Sequence, residues 1–322
     1  MNTFGNNFKI SIFGESHGRS VGVLIDGSPV GISLDENDFT SDILRRKSGA
    51  KGTTPRIEGD IPQIKSGVFN GKTTGAPILI EFVNENVRSK DYSNLVKHPR
   101  PSHADFVAQK KYNGFQDYRG GGHFSGRITL GLVAAGVLAK KIVSQINITA
   151  KLTEIGGQKD IDKALDSAIK NRDSIGGIIE CVADNMPIGL GEPFFNSVES
   201  QISHLAFSVP GIKAIEFGLG FEIAKMKGSQ FNDLIIDEEG TTKSNNSGGV
   251  NGGISNGNNL VFRVVVRPTA SISLPQKTYN FETNKPEELL VRGRHDVCIA
   301  LRVPVIIEAI TAIALADLKL NN

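Results

Sequence analysis

Arg119-Gly120-Gly121-Gly122-His123-Phe124-Ser125-Gly126-Arg127 runs straight into an apolar segment from Ile128 to Val143, and the fold turns on how that join is read. Three successive glycines let the backbone enter conformations closed to other residues and let another molecule come close. Ser125 is placed to cap the helix that follows. That helix carries Leu130, Leu132, Val133, Val137, Leu138 and Ile142 and is apolar nearly all round, the pattern of a helix buried on every side. A helix start behind a glycine loop, flanked by Arg119, His123 and Arg127, is also what an anion site needs. A capped turn with solvated arginines would produce the same letters, so the stretch alone leaves both readings open.

On the N-terminal side, 8–13 and 20–26 have strand character, joined by Gly14-Glu15-Ser16-His17-Gly18. Ser33-Leu34-Asp35-Glu36 has the form of a capping box and should open a helix that turns Phe39, Ile43 and Leu44 inward. Cations at its end (Arg45, Arg46, Lys47) suit the helix dipole, but Lys51 and Arg56 in the following Gly/Thr loop do not need it and point to a polyanionic small molecule. Runs 64–69 and 78–83 suggest a hairpin around Asn70-Gly71. Arg100-Pro101-Ser102-His103-Ala104-Asp105 is a proline-fixed loop entering a helix, with Ser102 or Asp105 as its cap.

Beyond the central helix, strands at 147–155, 175–182, 212–217 and 260–266 alternate with helices at 159–170 and 197–207, with no regular βαβ rhythm and no internal repeat. The Gly/Asn/Ser-rich segment 237–259 is either a long loop or backbone brought against a planar cofactor at Gly252. Arg267-Pro268-Thr269-Ala270-Ser271 follows a β-branched strand, and Arg292-Gly293-Arg294-His295-Asp296 precedes a C-terminal helix with Pro304 in its first turn.

At 322 residues, 39% hydrophobic and 22% charged, the chain has ample core for a single folded unit over 1–322. A net charge of +2, no Trp and only 4 Tyr argue against a general nucleic-acid or membrane-surface binder. The 2 cysteines, Cys181 and Cys298, lie far apart in apolar surroundings and are expected to be reduced. Neither a secretory signal nor a membrane-spanning run is visible, so a cytoplasmic location is expected.

The Gly-bearing loops share one character: each carries Arg, His or Ser. A site for several phosphate or carboxylate groups needs that chemistry, because guanidinium forks pair bidentately with such groups. His17, His103 and Asp296 are the candidate proton handlers. No Gly-Lys-Ser/Thr completes a Walker A loop, and no Gly-x-Gly-x-x-Gly follows the first strand. Metal ligation by Glu15, His17, His103 and Asp105 has no recognised spacing behind it, so no metal is expected.

These segments together resemble the chorismate synthase family: Gly14 to Gly18 with Asp26-Gly27, Arg119 to Arg127 leading into a helix, and Arg292 to Asp296 match its three signature regions. Arg45-Arg46, Thr73-Thr74-Gly75, Arg100 to Asp105, Gly189 to Pro193 and 228–233 match in the same order, so the resemblance covers the whole chain. It implies an α+β fold, a β-α-β sandwich of antiparallel sheets enclosing long central helices, assembled as a homotetramer. The implied enzyme is a lyase of the shikimate pathway. It carries out anti-1,4-elimination of phosphate from 5-enolpyruvylshikimate 3-phosphate to give chorismate, with reduced FMN and no net redox change.

Position by position, the resemblance implies that His17 protonates the reduced flavin, His103 assists the leaving phosphate, and Asp296 works with the flavin in removing the C6 proton. Ser16, Arg46, Arg100 and Arg127 resemble the substrate-binding residues. His123, Phe124, Ser125, Gly252, Arg267, Pro268, Thr269, Ala270, Ser271 and Arg294 resemble the FMN-contacting segments. Arg46 also falls where a nicotinamide dinucleotide contact is assigned in the family, which would make NADPH a reductant. The chain departs from the pattern at His123 and Phe124, where many members have an arginine and a small residue, and at Ile128, where many have a glutamate. A histidine at 123 titrates near neutrality and would make FMN affinity pH-dependent. The rival reading without the resemblance is a metal-dependent phosphohydrolase using the same histidines and carboxylates.

Overall fold

The computed structural model describes residues 2–86, 94–291 and 295–321. In chain order the strands are β1 (Thr3–Phe4), β2 (Lys9–Gly14), β3 (Ser20–Asp26), β4 (Gln63–Ile64), β5 (Val68–Phe69), β6 (Lys72–Thr73), β7 (Ile78–Val83), β8 (Asn147–Ile155), β9 (Gly177–Asp184), β10 (Ile212–Phe217), β11 (Val250–Asn251), β12 (Ile254–Ser255), β13 (Leu260–Val266), β14 (Gln276–Asn280) and β15 (Lys285–Leu289). The α-helices are α1 (Thr40–Arg46), α2 (Asp105–Lys111), α3 (Thr129–Ile142), α4 (Ile161–Lys170), α5 (Val198–Ser208), α6 (Gly228–Phe231) and α7 (Pro304–Lys319).

Two antiparallel sheets, ordered β1-β2-β3-β7-β4 and β10-β13-β9-β8, and a set of helices make an α+β fold. Each sheet turns one face inward because its strands alternate. Val21, Val23 and Ile25 are buried on β3, and Leu260, Phe262, Val264 and Val266 on β13. Helix α3 packs on β2 and β3, α7 packs on β8 and β9, and the two helices pack on each other.

Two glycines of α3 show how closely it is held. A methyl at Gly131 would lie 2.7 Å from Gly22 O in the first sheet, and one at Gly136 would lie 2.3 Å from Ala309 Cβ on α7. Five residues turn a helix by about 140°, so these contacts lie on nearly opposite sides. A helix clamped on both sides has no solvent face, which explains its all-round apolar sequence.

The polar groups inside α7 are all matched. Glu308 takes the Arg45 fork at 2.6 Å on both oxygens, Lys140 at 3.1 Å and the Ala150 N–H at 3.0 Å. Asp317 accepts the backbone N–H groups of Asn6, Asn7 and Phe8, tying the chain's start to its last helix.

Three local expectations are corrected. Asp35, not Ser33, caps the helix entry, and Asp38 completes the box in a 3-10 turn (Glu36–Phe39) ahead of α1. Asn70-Gly71 turns the small β5–β6 ribbon, while β7 pairs with β3 and β4 in the main sheet. The segment 237–259 is organised by a residue before it. Asp233 receives Ser244 Oγ at 2.7 Å, Asn246 N–H at 2.8 Å and Ser247 N–H at 2.9 Å, and β11–β12 form a hairpin within it.

Candidate active site

The glycine turn sits where sequence reading put it, but its neighbour is a side chain. Gly120, Gly121 and Gly122 have φ of 59°, 83° and 53°, a left-handed run that other residues adopt only at a cost. At Gly122 a methyl would fall 1.9 Å from Asp117 O, and its own carbonyl accepts the Ser16 N–H at 3.0 Å. At Gly120 a methyl would lie 2.7 Å from both Cδ2 and Nε2 of His17. His17 is therefore packed directly beneath the turn. Burial, then the nearby Arg56 and Arg119 guanidiniums, push its pKa down to about 4, so the imidazole is neutral at pH 7. Ser125 does cap, accepting the Arg127 N–H at 3.3 Å, but what it caps is a short 3-10 turn (Gly126–Ile128) ahead of α3.

Arg127 and Arg46 share one buried carboxylate. Arg127 Nη1 donates to Asp60 Oδ1 at 2.7 Å and its Nε to Asn84 Oδ1, which leaves Nη2 buried with no protein partner. Arg46 lies 3.6 Å from Asp60 Oδ2 and donates to Thr129 Oγ1 and to the carbonyls of Gly126 and Arg127. Burial and the adjacent Arg302 push the Arg46 pKa down to about 9. Arg56 grips Glu58 at 2.6 Å and holds Ser16 by both its Oγ and its carbonyl. Of the remaining basic residues in this stretch, Arg45 is spent on Glu308 and Lys51 on Asp166, so neither answers the polyanion expectation.

In the 100–105 loop Ser102 takes a positive φ of 57°, and neither expected cap acts as one. The Asp105 carboxylate goes instead to Arg100 Nε at 2.7 Å, Arg100 Nη2 at 2.8 Å and His103 Nδ1 at 2.6 Å. Arg100 Nη1 reaches Ser271 Oγ at 2.9 Å, which draws the loop after β13 to the same place. Arg267 lies close by, its pKa lowered by burial and by Arg100. From the far side Asp296 accepts the Thr54 N–H at 3.0 Å and lies 3.3 Å from Arg302 Nη1, whose Nε holds the Arg46 carbonyl.

These groups surround a cavity of about 250 Å³ whose wall includes Ser16, Arg46, Arg100, His103, Phe124, Ser125, Arg127, Arg267, Thr269, Ala270, Ser271 and Asp296. A second cavity of about 500 Å³ shares His103, Phe124, Thr129, Val209, Pro210, Gly211 and Arg267 with it. His17 lies behind the first wall, under Gly120. His123 lines the second cavity, its Nδ1 2.8 Å from Gly14 O and its Nε2 3.2 Å from Asn2 Oδ1. Pro268 contributes its carbonyl to Arg267 Nη1. Gly252 turns the β11–β12 hairpin and is not among the lining residues of either cavity. Arg294 lies outside the described residues.

Sequence reading passed over Asp60, Asn84, Glu58 and Arg302. Arg302 had a signal: a cation just before the N-terminus of α7 opposes the helix dipole and needs an anion, here Asp296. Asp60 and Asn84 lie in stretches whose role appears only when α3 packs behind them.

Whether the wall suits anionic ligands can be judged from its unmet groups. Arg127 Nη2 and Thr269 Oγ1 are both buried without a partner on the cavity wall, a donor and a hydroxyl awaiting one. Arg56, Arg100, Arg267 and Arg302 add cations, while Phe124, Val209, Ile299, Val303 and Ile306 supply apolar surface for a ring. Such a wall fits a multiply charged substrate beside a flavin phosphate and ring.

The chorismate synthase family model matches residues 8–320. The chain is 60% identical to the chorismate synthase of Chitinophaga pinensis over 321 residues, spanning 99% of this chain and 97% of that protein. It is 44% identical to the Dehalococcoides mccartyi enzyme (strain BAV1), over 99% of this chain and 97% of the relative. A crystal structure of chorismate synthase superposes with a TM-score of 0.76 at 26% identity, covering 99% of this chain and 93% of the other. With the family pattern matched almost end to end and the fold shared, the chain belongs to the chorismate synthase family.

Proposed function

We propose that the cavity between the glycine turn, the 100–105 loop and Asp296 is where this lyase eliminates phosphate from 5-enolpyruvylshikimate 3-phosphate to give chorismate. The reaction follows from the family; the residue roles are our reading of the geometry. The observation that carries it is the buried, unpartnered Nη2 of Arg127, a residue that shares the cavity wall with Arg56, Arg100, Arg267 and Arg302. Arg127 binds an anionic group of the ester through its unpartnered Nη2, Arg100, whose N–H groups are held by Asp105 and Ser271, adds its charge to the wall, and Ser16, held by Arg56, orients the ester. His103, on the cavity wall, passes a proton to the departing phosphate. Asp296, held by the Thr54 N–H with Arg302 beside it, takes the C6 proton. His17, neutral in the ligand-free chain, takes up a proton once anionic groups occupy the pocket.

Reduced FMN, when bound, lends electron density to the allylic system and so weakens the C–O bond without net redox change. Phe124, Ser125, Arg267 and 269–271 are the residues that would hold it, with His123 at the edge of the adjoining cavity. The nicotinamide contact expected of Arg46 has no support, because that guanidinium is buried and already engaged by Thr129, Gly126 and Arg127. The phosphohydrolase alternative is displaced by the family assignment.

The two helices between two sheets support the β-α-β sandwich. Homotetramer assembly is supported by large apolar side chains left on the surface, Phe194 and Phe195 at 85% and 91% exposure among them. Among the described residues no helix is long and apolar enough to cross a membrane, and a cytoplasmic location accords with the pathway. Anaerobic phosphate release from the ester, with and without dithionite-reduced FMN, tests the reading. Release that is independent of reduced flavin, or absent with it, refutes it.

A further inference from the structure

We propose that Asn84 is a positioning residue that fixes Arg127 and the turn bearing Ser16 and His17 relative to one another. Residues Glu15 to Gly18 form a tight turn, closed by the Gly18 N–H on the Glu15 carbonyl at 3.0 Å, with Ser16 and His17 at its two corners. Asn84 Nδ2 donates to both ends of that turn, to Glu15 O at 3.0 Å and to Gly18 O at 2.9 Å. The Asn84 backbone N–H adds a bond to Arg19 O at 3.0 Å. On its other side, Asn84 Oδ1 accepts from Arg127 Nε. With Nη1 on Asp60, the Arg127 guanidinium is held at two of its three nitrogens, and Nη2 is the one left for a ligand. An arginine Nε can only donate and the turn's carbonyls can only accept, so the amide has one orientation: oxygen to Arg127, nitrogen to the turn. A hydroxyl is too short to serve both sides, and a carboxylate has no proton for the turn.

The backbone that carries this amide is itself anchored. Asn84 follows β7, whose Val83 pairs with Ser20 of β3. The next two N–H groups, of Glu85 and Asn86, donate to Glu58 Oε2 at 2.9 Å and 3.1 Å. Glu58 Oε1 in turn takes Arg56 Nη2 at 2.6 Å, and Arg56 holds Ser16 by its Oγ and its carbonyl, both at 3.0 Å. Residues 84–86 therefore reach the turn by two routes, the Asn84 amide at its ends and the Glu58–Arg56 pair at its corner. Only the first route also touches Arg127, so Asn84 is the member that couples the anion-binding guanidinium to the turn. This inference rests on the roles proposed above for Arg127, Ser16 and His17, but the hold on the turn can be tested without them.

Asn84→Ala removes both sides of the bridge, and Asn84→Leu does the same while keeping the volume, so it serves if the alanine variant does not fold. Histidine-selective 15N labelling of the full chain gives six residues to resolve, with His17→Gln for assignment. In the wild type His17 is neutral, held so by burial and by Arg56 and Arg119 against the opposing Asp117 and Glu58, and should not titrate between about pH 6 and 8. In the variant the loosened turn should release the ring and bring its titration into that range. A ring that stays silent in the variant overturns the proposal. Anaerobic kinetics with reduced FMN read the consequence: kcat should fall by about tenfold or more as Ser16 and His17 shift, and KM for the ester should rise by about threefold or more as Arg127 loses its hold. Both changes uphold the proposal. A ring that titrates in a variant with wild-type kcat and KM upholds the hold of Asn84 on the turn and refutes the roles given above to Ser16 and His17.

Discussion

Replacing Gly120 by alanine should separate the cost of strain from the cost of a displaced histidine. The backbone there has φ of 59°, which costs an L-residue about 1–2 kcal/mol. The new methyl would also sit 2.7 Å from His17 Cδ2 and Nε2 and 2.8 Å from Ser16 Oγ, about 0.7 Å inside ordinary contact. Those atoms are side-chain ends and can give way, so the protein should fold, with His17 and Ser16 displaced by most of an ångström. Misplacement on that scale costs about 100-fold in turnover. Gly157 is the control, with φ of 76° and nothing within 4 Å of an added methyl, in the turn after β8. Gly157→Ala should lose about 1 kcal/mol of stability and keep its activity. Gly120→Ala should lose about 1–2 kcal/mol and most of its kcat. Denaturant unfolding and anaerobic phosphate release with reduced FMN measure the two quantities. Wild-type turnover in Gly120→Ala at saturating substrate would refute the placement of His17 beneath the turn.

Asp60→Asn should destabilise the fold by about 3–5 kcal/mol, because two buried arginines lose their shared counter-charge; an unchanged denaturation midpoint would contradict that pairing. For His17, whose pKa falls from 6.5 to about 4 on folding, the unfolded chain binds the extra proton first. Its contribution to stability is thus present above pH 6.5 and declines as pH falls toward 4. The stability gap between wild type and His17→Gln, followed by urea unfolding, should shrink across that window and stay flat above pH 7. Arg302→Gln should cost about 1 kcal/mol of stability yet lower kcat by about tenfold or more, since Asp296 loses the cation beside it; equal kcat in the two proteins would remove Arg302 from any part in holding Asp296.

The central architecture was legible in the sequence because burial on every side leaves an unambiguous mark. The 128–143 run is the sharpest case, and the alternating runs at 212–217 and 260–266 matched their strands residue for residue. Short-range chemistry was less legible. Ser33 and Asp35 compete for one cap, and only the backbone at Asp35 decides between them. Asn70-Gly71 fixed a turn but not which strands it joins, because sheet partners are set by contacts far along the chain. In the site, arginines and histidines stood out by type, and their loops do converge on one cavity. The carboxylates that steer them did not stand out. Asp60 and Glu58 are ordinary loop residues by sequence and acquire a role only through the arginines they meet, while Asp105 was read as a helix cap and holds Arg100 instead.

The pair of helices shared by both sheets has a mechanical consequence. With Gly136 against Ala309 and Gly131 against Gly22, neither sheet can rotate without prising apart backbone packing that leaves no room for even a methyl group. Admission of ligands to the arginine-lined chamber must therefore come from the surrounding connections, which can swing while the scaffold stays rigid. The depth and shape of the chamber floor are fixed before anything arrives, and the rate of entry is set at its rim.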